Sequence, residues 1–221
     1  MSEELTFEVP GSGTVSGLVD RPADARLGYV LAHGAGAGMR HPFLEAIAQR
    51  LAARGVATFR YQFPYVEARR RRPDSPEVAT ATVRAAVWDA SSRLSGLPLV
   101  AGGKSFGGRM TSSAAAASAL PGVRGLAFLG FPLHPPGRPD TRRAEHLDRV
   151  TVPMLFLQGS RDEFADLALL QLVVQRLGGR ATLHLVEGGN HSFGVPKSAS
   201  RSKEAVLDEL ADALSRWGAA L

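Results

Sequence analysis

From Arg26 onward the chain alternates apolar runs of strand length with amphipathic stretches of helical length, and this alternation limits the fold more than anything else in it. The runs predict strands at 28–33, 56–60, 98–102, 123–130, 153–158 and 181–186, with helices at 42–54, 77–94, 107–119, 163–177 and 201–217. Strands separated in this way by helices build a mostly parallel sheet covered on both faces. Pro42 and Pro76 stand where a first-turn proline is tolerated, and Gly55 and Gly178 where helices end on a left-handed residue. Ahead of this region, 6–9 and 14–19 are β-rich and flank Pro10-Gly11-Ser12-Gly13, which predicts an N-terminal hairpin. At 221 residues the chain suits one domain with a single extended core, spanning 1–221. It shows no internal repeat, heptad or linker.

The run Leu97-Pro98-Leu99-Val100-Ala101-Gly102 stops at a glycine-framed serine, Gly103-Lys104-Ser105-Phe106-Gly107, and turns helical. This has the form of a nucleophile elbow. G-x-S-x-G places serine on a sharp strand-to-helix turn, and the small residues two before and two after it let the backbones pass closely. The five residues alone are not specific, since glycine and serine are common; the preceding strand and the small-residue helix after it supply the context. Ala114 to Ala117 favour helix and allow close packing behind Ser105. Gly103-Lys104-Ser105 also resembles the end of a phosphate-binding loop. That pattern requires glycine at position 98, where this chain has Pro98, and no flexible stretch precedes the serine to wrap phosphates. Lys104 is therefore read as the variable residue of the elbow.

A serine hydroxyl needs a base to take its proton, and the base needs a carboxylate to hold its tautomer. In the elbow arrangement the acid and the base follow the serine in that order, each beyond a strand. Leu155-Phe156-Leu157-Gln158-Gly159-Ser160-Arg161-Asp162 is a buried strand running into a polar turn, and Asp162 is the expected acid. Asp162 also suits a helix N-cap, a role compatible with being the acid; Glu163 and Asp166 are the reserves. His191 is the expected base, after a strand and the turn Gly188-Gly189-Asn190. His184 lies inside a strand, and His134 and His146 precede the acid, although His134 is a candidate for the pocket wall.

Acyl transfer builds charge on a carbonyl oxygen, which two preset backbone N–H groups can hold. Phe106, next after the serine, is expected to give one. The glycine-rich loop His33-Gly34-Ala35-Gly36-Ala37-Gly38, opening from a strand, is expected to give the other from Ala35, with Gly36 as the fallback. His33 then shapes the loop by hydrogen bonding. His33, Gly34, Gly36, Arg60 and His134 are the expected pocket residues.

Charge excludes some partners. The formal net charge of +5 comes from 23 Arg and 3 Lys against 21 acidic residues. The cluster Arg69-Arg70-Arg71-Arg72 has no interleaved aromatic platform, so it reads as a solvated loop rather than a nucleic-acid surface. Together with Arg40, Arg60 and His134 it can still lend the site mouth a positive field. Cysteine is absent, which removes disulfides and thiolate metal sites. The start, Met1-Ser2-Glu3-Glu4-Leu5, lacks the basic and apolar segments of a secretory signal, and no run of about 18 apolar residues occurs. A cytoplasmic protein is expected, acting on a small-molecule acyl substrate, with no membrane, no nucleic acid, no metal and no cofactor.

With elbow, acid, base and loop in order, the chain resembles the α/β-hydrolase superfamily over essentially its whole length. The segments around His33, Ser105 and Asp162, with Phe131-Pro132-Leu133-His134-Pro135-Pro136-Gly137, resemble a small lidless branch allied to dienelactone hydrolases. That branch includes testis-expressed and NSL-complex-subunit relatives. The resemblance implies the α/β-hydrolase fold without a large lid, and a Ser-His-Asp serine hydrolase acting on an ester, thioester or amide. Dienelactone hydrolases use a cysteine nucleophile, which this chain lacks, so lactone specificity does not carry over. Some animal relatives are scaffold subunits, so a non-catalytic binding protein of this fold is the alternative. The stretch 131–143 is too short for a helical lid, and an open site for small or extended acyl groups is expected.

Overall fold

The computed structural model of the chain describes residues 2–196 and 201–221. It contains an eight-stranded sheet in the order β1-β2-β4-β3-β5-β6-β7-β8. β1 (Glu3–Val9) and β2 (Gly13–Asp20) form the expected hairpin, and β2 joins the main sheet antiparallel to β4 (Val56–Tyr61). β3 (Leu27–Ala32), β4, β5 (Leu99–Lys104), β6 (Val123–Leu129), β7 (Met154–Gly159) and β8 (Ala181–Val186) run parallel.

The parallel strands read as near-continuous apolar runs because both faces are buried: β3, β4 and β7 have no exposed position. On one face the core is closed by α3 (Pro76–Arg93), α4 (Phe106–Ala117) and α5 (Leu167–Leu177). On the other it is closed by α1 (Pro42–Ala52) and α6 (Lys203–Gly218). A short helix, α2 (Pro64–Glu67), and a 3-10 helix over Arg142–Arg149 were not anticipated from the sequence. No lid stands over the strand ends among the described residues.

Most helix boundaries lie within two residues of expectation, and one differs for a reason that matters. The helix expected at 163–177 begins at Leu167, because the Asp166 side chain accepts from the Leu169 N–H and is the N-cap. Asp162 is thus not a cap, and 163–166 is a turn free to shape its surroundings.

The chain order places a site. β4 lies on one side of β3 and β5 on the other, so the connections after β3 and β5 leave in opposite directions and open a crevice at their C-terminal ends, where open α/β sheets bind ligands. Residues 33–38 leave from β3 there, and Ser105 leaves from β5.

Candidate active site

Ser105 sits between the last residue of β5 and the first of α4 with φ 49° and ψ −113°. A non-glycine residue in this region costs on the order of 1–3 kcal/mol and persists only where its surroundings over-determine it. The surroundings are tight on two sides. A Cβ on Gly103 would run into the Ala32 carbonyl, and one on Gly107 would lie 2.5 Å from the His33 carbonyl oxygen. Only glycine at both positions lets β5 and α4 press against β3, which fixes the turn that presents Ser105.

Ser105 Oγ lies 2.8 Å from His191 Nε2. His191 Nδ1 lies 2.7 Å from Asp162 Oδ2 and 2.9 Å from Oδ1. Because an ionised carboxylate only accepts, Nδ1 carries the proton and Nε2 is left to accept from the serine hydroxyl. The three residues come from the loops after β5, β7 and β8.

Each is held by neighbours. The Asp162 side chain is sealed from water and also accepts from Gln158 Nε2 at 2.5 Å and from the Phe164 N–H at 2.8 Å. Gln158 is oriented in turn by the Phe131 N–H, which donates to its Oε1. The Phe164 ring packs on the His191 imidazole with centroids 4.3 Å apart. Asn190 Oδ1 accepts from the N–H groups of Ser192 and Gly194, curling the loop that carries His191.

The loop after β3 faces the serine. Gly34 and Ala35 line a cavity of about 310 Å³ with Ser105 and His191, closed on its apolar side by Phe43 and Leu44. Neither the Phe106 nor the Ala35 N–H has an acceptor among the described residues, whereas the Gly36 N–H donates to Tyr65 Oη at 3.1 Å. That engagement separates Ala35 from its fallback: Gly36 anchors the loop, and its donor is already used.

Four of the expected pocket residues lie elsewhere. Gly36 does not line the cavity. His33 is wholly buried beneath the loop, its Nδ1 donating to the Gly34 carbonyl at 2.8 Å and its Nε2 accepting from the Phe63 N–H at 3.2 Å. Burial pushes its pKa down to about 4. Arg60 is buried on β4 and pairs with Asp20 at 2.7 Å and with the Met39 carbonyl, lining a separate hollow. His134 braces the turn after Asp162, accepting the Asp166 N–H at Nε2, while its backbone N–H donates to the Phe164 carbonyl.

Gln158, Phe164, Asn190 and Lys104 escaped the sequence reading. The signal for Gln158 was present, since an amide at the end of an apolar strand needs a partner. Lys104, read as the free residue of the elbow, reaches the His191 loop. Arg70 to Arg72 border a wide trough beyond Phe106 and Arg109, outside the cavity at Ser105. No group of three or more His, Asp or Glu side chains is arranged to hold a metal ion among the described residues. No helix there is long and apolar enough to cross a membrane.

Comparison with known proteins agrees with this architecture. Residues 25–219 match the Abhydrolase_11 family, an alpha/beta hydrolase domain. The chain is similar to a dienelactone hydrolase from Anabaena variabilis, with 19% identity, a TM-score of 0.77 and coverage of 98% of this chain and 96% of that one. It is similar to a Xanthomonas campestris protein described as an α/β serine hydrolase without lid, with 23% identity, a TM-score of 0.76 and coverage of 98% and 94%. A third likeness is to an alpha-beta serine hydrolase homologue from Coxiella burnetii, with 19% identity, a TM-score of 0.76 and coverage of 97% and 96%. Identities this low carry the fold, while the family match covers most of the chain: the protein belongs to the alpha/beta hydrolase domain family, in a form without a lid.

Proposed function

We propose that the chain is a single-domain serine hydrolase that cleaves an ester, thioester or amide of a small or extended acyl substrate through an acyl-enzyme. The observation that carries this reading is the continuous hydrogen-bonded line from Ser105 Oγ through His191 to the sealed Asp162 carboxylate. A binding surface has no use for a serine placed in a strained turn against an oriented imidazole.

In the proposed sequence His191 Nε2 takes the Ser105 proton as Oγ attacks the substrate carbonyl carbon. Asp162 holds Nδ1–H and stabilises the imidazolium. The carbonyl oxygen becomes an oxyanion, which the Phe106 and Ala35 N–H groups hold; such donors are set before the reaction and need no reorganisation during it. Collapse breaks the bond to the leaving group, which receives the proton from Nε2. Water then enters, loses a proton to the same nitrogen and attacks the acyl carbon, and Ser105 leaves with the proton returned. The volume of about 310 Å³ beside Ser105 and the lack of a lid suit short acyl groups, or longer ones that extend into solvent.

A fluorophosphonate probe tests the reading. Stoichiometric labelling that disappears in Ser105→Ala and in His191→Ala is expected; a folded protein that never labels would make it a binding module of the same fold. A panel of nitrophenyl esters tests the acyl preference, and faster turnover of long-chain than of short-chain esters would refute it.

A further inference from the structure

Lys104 stands directly before Ser105, at the position that a G-x-S-x-G pattern leaves free. Its side chain crosses from the end of β5 to the loop after β8, where Nζ donates to the His191 carbonyl oxygen at 2.7 Å. Nζ lies 5.6 Å from the centre of the Phe193 ring. Room for it is left by Gly130 at the end of β6. A Cβ there would lie 3.0 Å from Nζ, 3.3 Å from the His191 carbonyl oxygen and 3.6 Å from Asp162 Oδ2. Withdrawing an ammonium from water is unfavourable, and burial lowers the Lys104 pKa to about 8 although Asp162 and Glu163 pull it upward. Lys104 is partly buried and also lines the cavity at Ser105, and its ammonium is held in place by the His191 carbonyl oxygen.

We infer that Lys104 is a positioning residue of the Ser105 site, pinning the His191 backbone and supplying the positive charge that balances the buried Asp162 carboxylate while the imidazole is neutral. This rests on the hydrolase reading above. In the resting site Asp162 is sealed from water beside a neutral ring, and a buried carboxylate without a counter-charge is unstable. Lys104 supplies that charge from the end of β5, where its Nζ is held by the His191 carbonyl oxygen. When His191 takes the Ser105 proton, two cations share one carboxylate, so the ring is kept from holding its proton too firmly and returns it to the leaving group. The charged or titratable groups facing Lys104 are Asp162 and Glu163 after β7, His191 after β8, and His41 across the cavity ahead of α1.

The test compares Lys104→Met, Lys104→Gln and Lys104→Arg by fluorophosphonate labelling rate and by the pH profile of kcat/KM for a short nitrophenyl ester. Lys104→Met is expected to label about 10–100-fold more slowly, the loss associated with a small misplacement of a reacting group. Its acid limb should move up by about half a pH unit or more, since a nearby charge shifts a titration by this order. Lys104→Arg should hold the limb in place and recover most of the rate. Where Lys104→Met does not fold, Lys104→Gln decides: neutral but still a donor, it must move the limb. Wild-type labelling with an unmoved acid limb in the neutral variants would overturn the inference while leaving the hydrolase reading standing. No labelling of the wild type would remove both.

Discussion

Replacing His33 by Gln should remove a large part of the acid sensitivity of the fold. His33 is wholly buried, and both ring nitrogens are committed: Nδ1 to the Gly34 carbonyl and Nε2 to the Phe63 N–H. A proton added to Nε2 would face the Phe63 donor with no acceptor in reach. With a folded-state pKa of about 4 against 6.5 in the unfolded chain, the unfolded state binds the extra proton first as pH falls. Stability is therefore fully present above about 6.5 and is lost toward the folded value. Linkage gives a loss of about 2 kcal/mol by pH 5 and about 3 kcal/mol by pH 4 from this group alone. Against a total of roughly 5–15 kcal/mol for a domain, that is a large share. In Gln the amide oxygen can occupy the place of Nε2 and accept from Phe63 without titrating. The variant should lose roughly 1–3 kcal/mol at pH 7 for the imperfect replacement, yet show a shallower decline on acidification. Urea unfolding of both proteins from pH 7.5 to pH 4 measures this. Parallel stability curves over that window would refute the reasoning, since they would place the acid sensitivity in other groups, with His146, whose pKa burial also lowers to about 4, the first to examine.

Asp162→Asn should reduce labelling and turnover by about 10³–10⁴-fold, because both oxygens of Asp162 already receive donors and the new amide must turn its N–H₂ toward one of them. An activity loss below tenfold in kinetic assays would argue against the role given to Asp162. Gly107→Ala should destabilise the fold by about 3 kcal/mol or more, as its methyl would lie 2.5 Å from the His33 carbonyl oxygen and 2.6 Å from Ala32 Cβ. Gly36→Ala meets no atom within 4 Å and carries only the strain of φ +72°, about 1–2 kcal/mol. Thermal melts rank the two, and a Gly36→Ala variant less stable than Gly107→Ala would show that the close approach of α4 to β3 is not what fixes the elbow.

Where the sequence was legible, the information lay along the chain. Strand and helix periods are local, and so are the glycines that flank Ser105; their order alone placed three loops at one end of the sheet. Arg60 shows where that kind of reading fails. It is a cation at the end of a strand next to the site, yet neither the period of β4 nor its charge reveals that Asp20 on the neighbouring strand takes its guanidinium. His134 fails similarly, because residue identity does not disclose that its ring nitrogens are already spent on backbone groups, whereas His33 makes the loop hydrogen bond expected of it and is missed only as a pocket residue. The helix at 163–177 began four residues late for a related reason. Asp162 suits a cap in sequence, but the Asp166 side chain takes that place by accepting from the Leu169 N–H, and its own N–H is held by His134 from 32 residues away.

Lys104 is the sharpest case. A motif written G-x-S-x-G declares its x positions free because it records only what the turn itself requires. The turn requires nothing of Lys104, whose contact is instead with the His191 carbonyl oxygen, 87 residues later in the chain. Both features that make the contact possible, the absent side chain of Gly130 and the carbonyl of His191, lie outside the elbow. A residue unconstrained by its own local structure is available for this kind of long-range use, since it can change without disturbing the turn that presents the serine. The free position before the serine is accordingly where a side chain can reach the His191 loop without altering the turn.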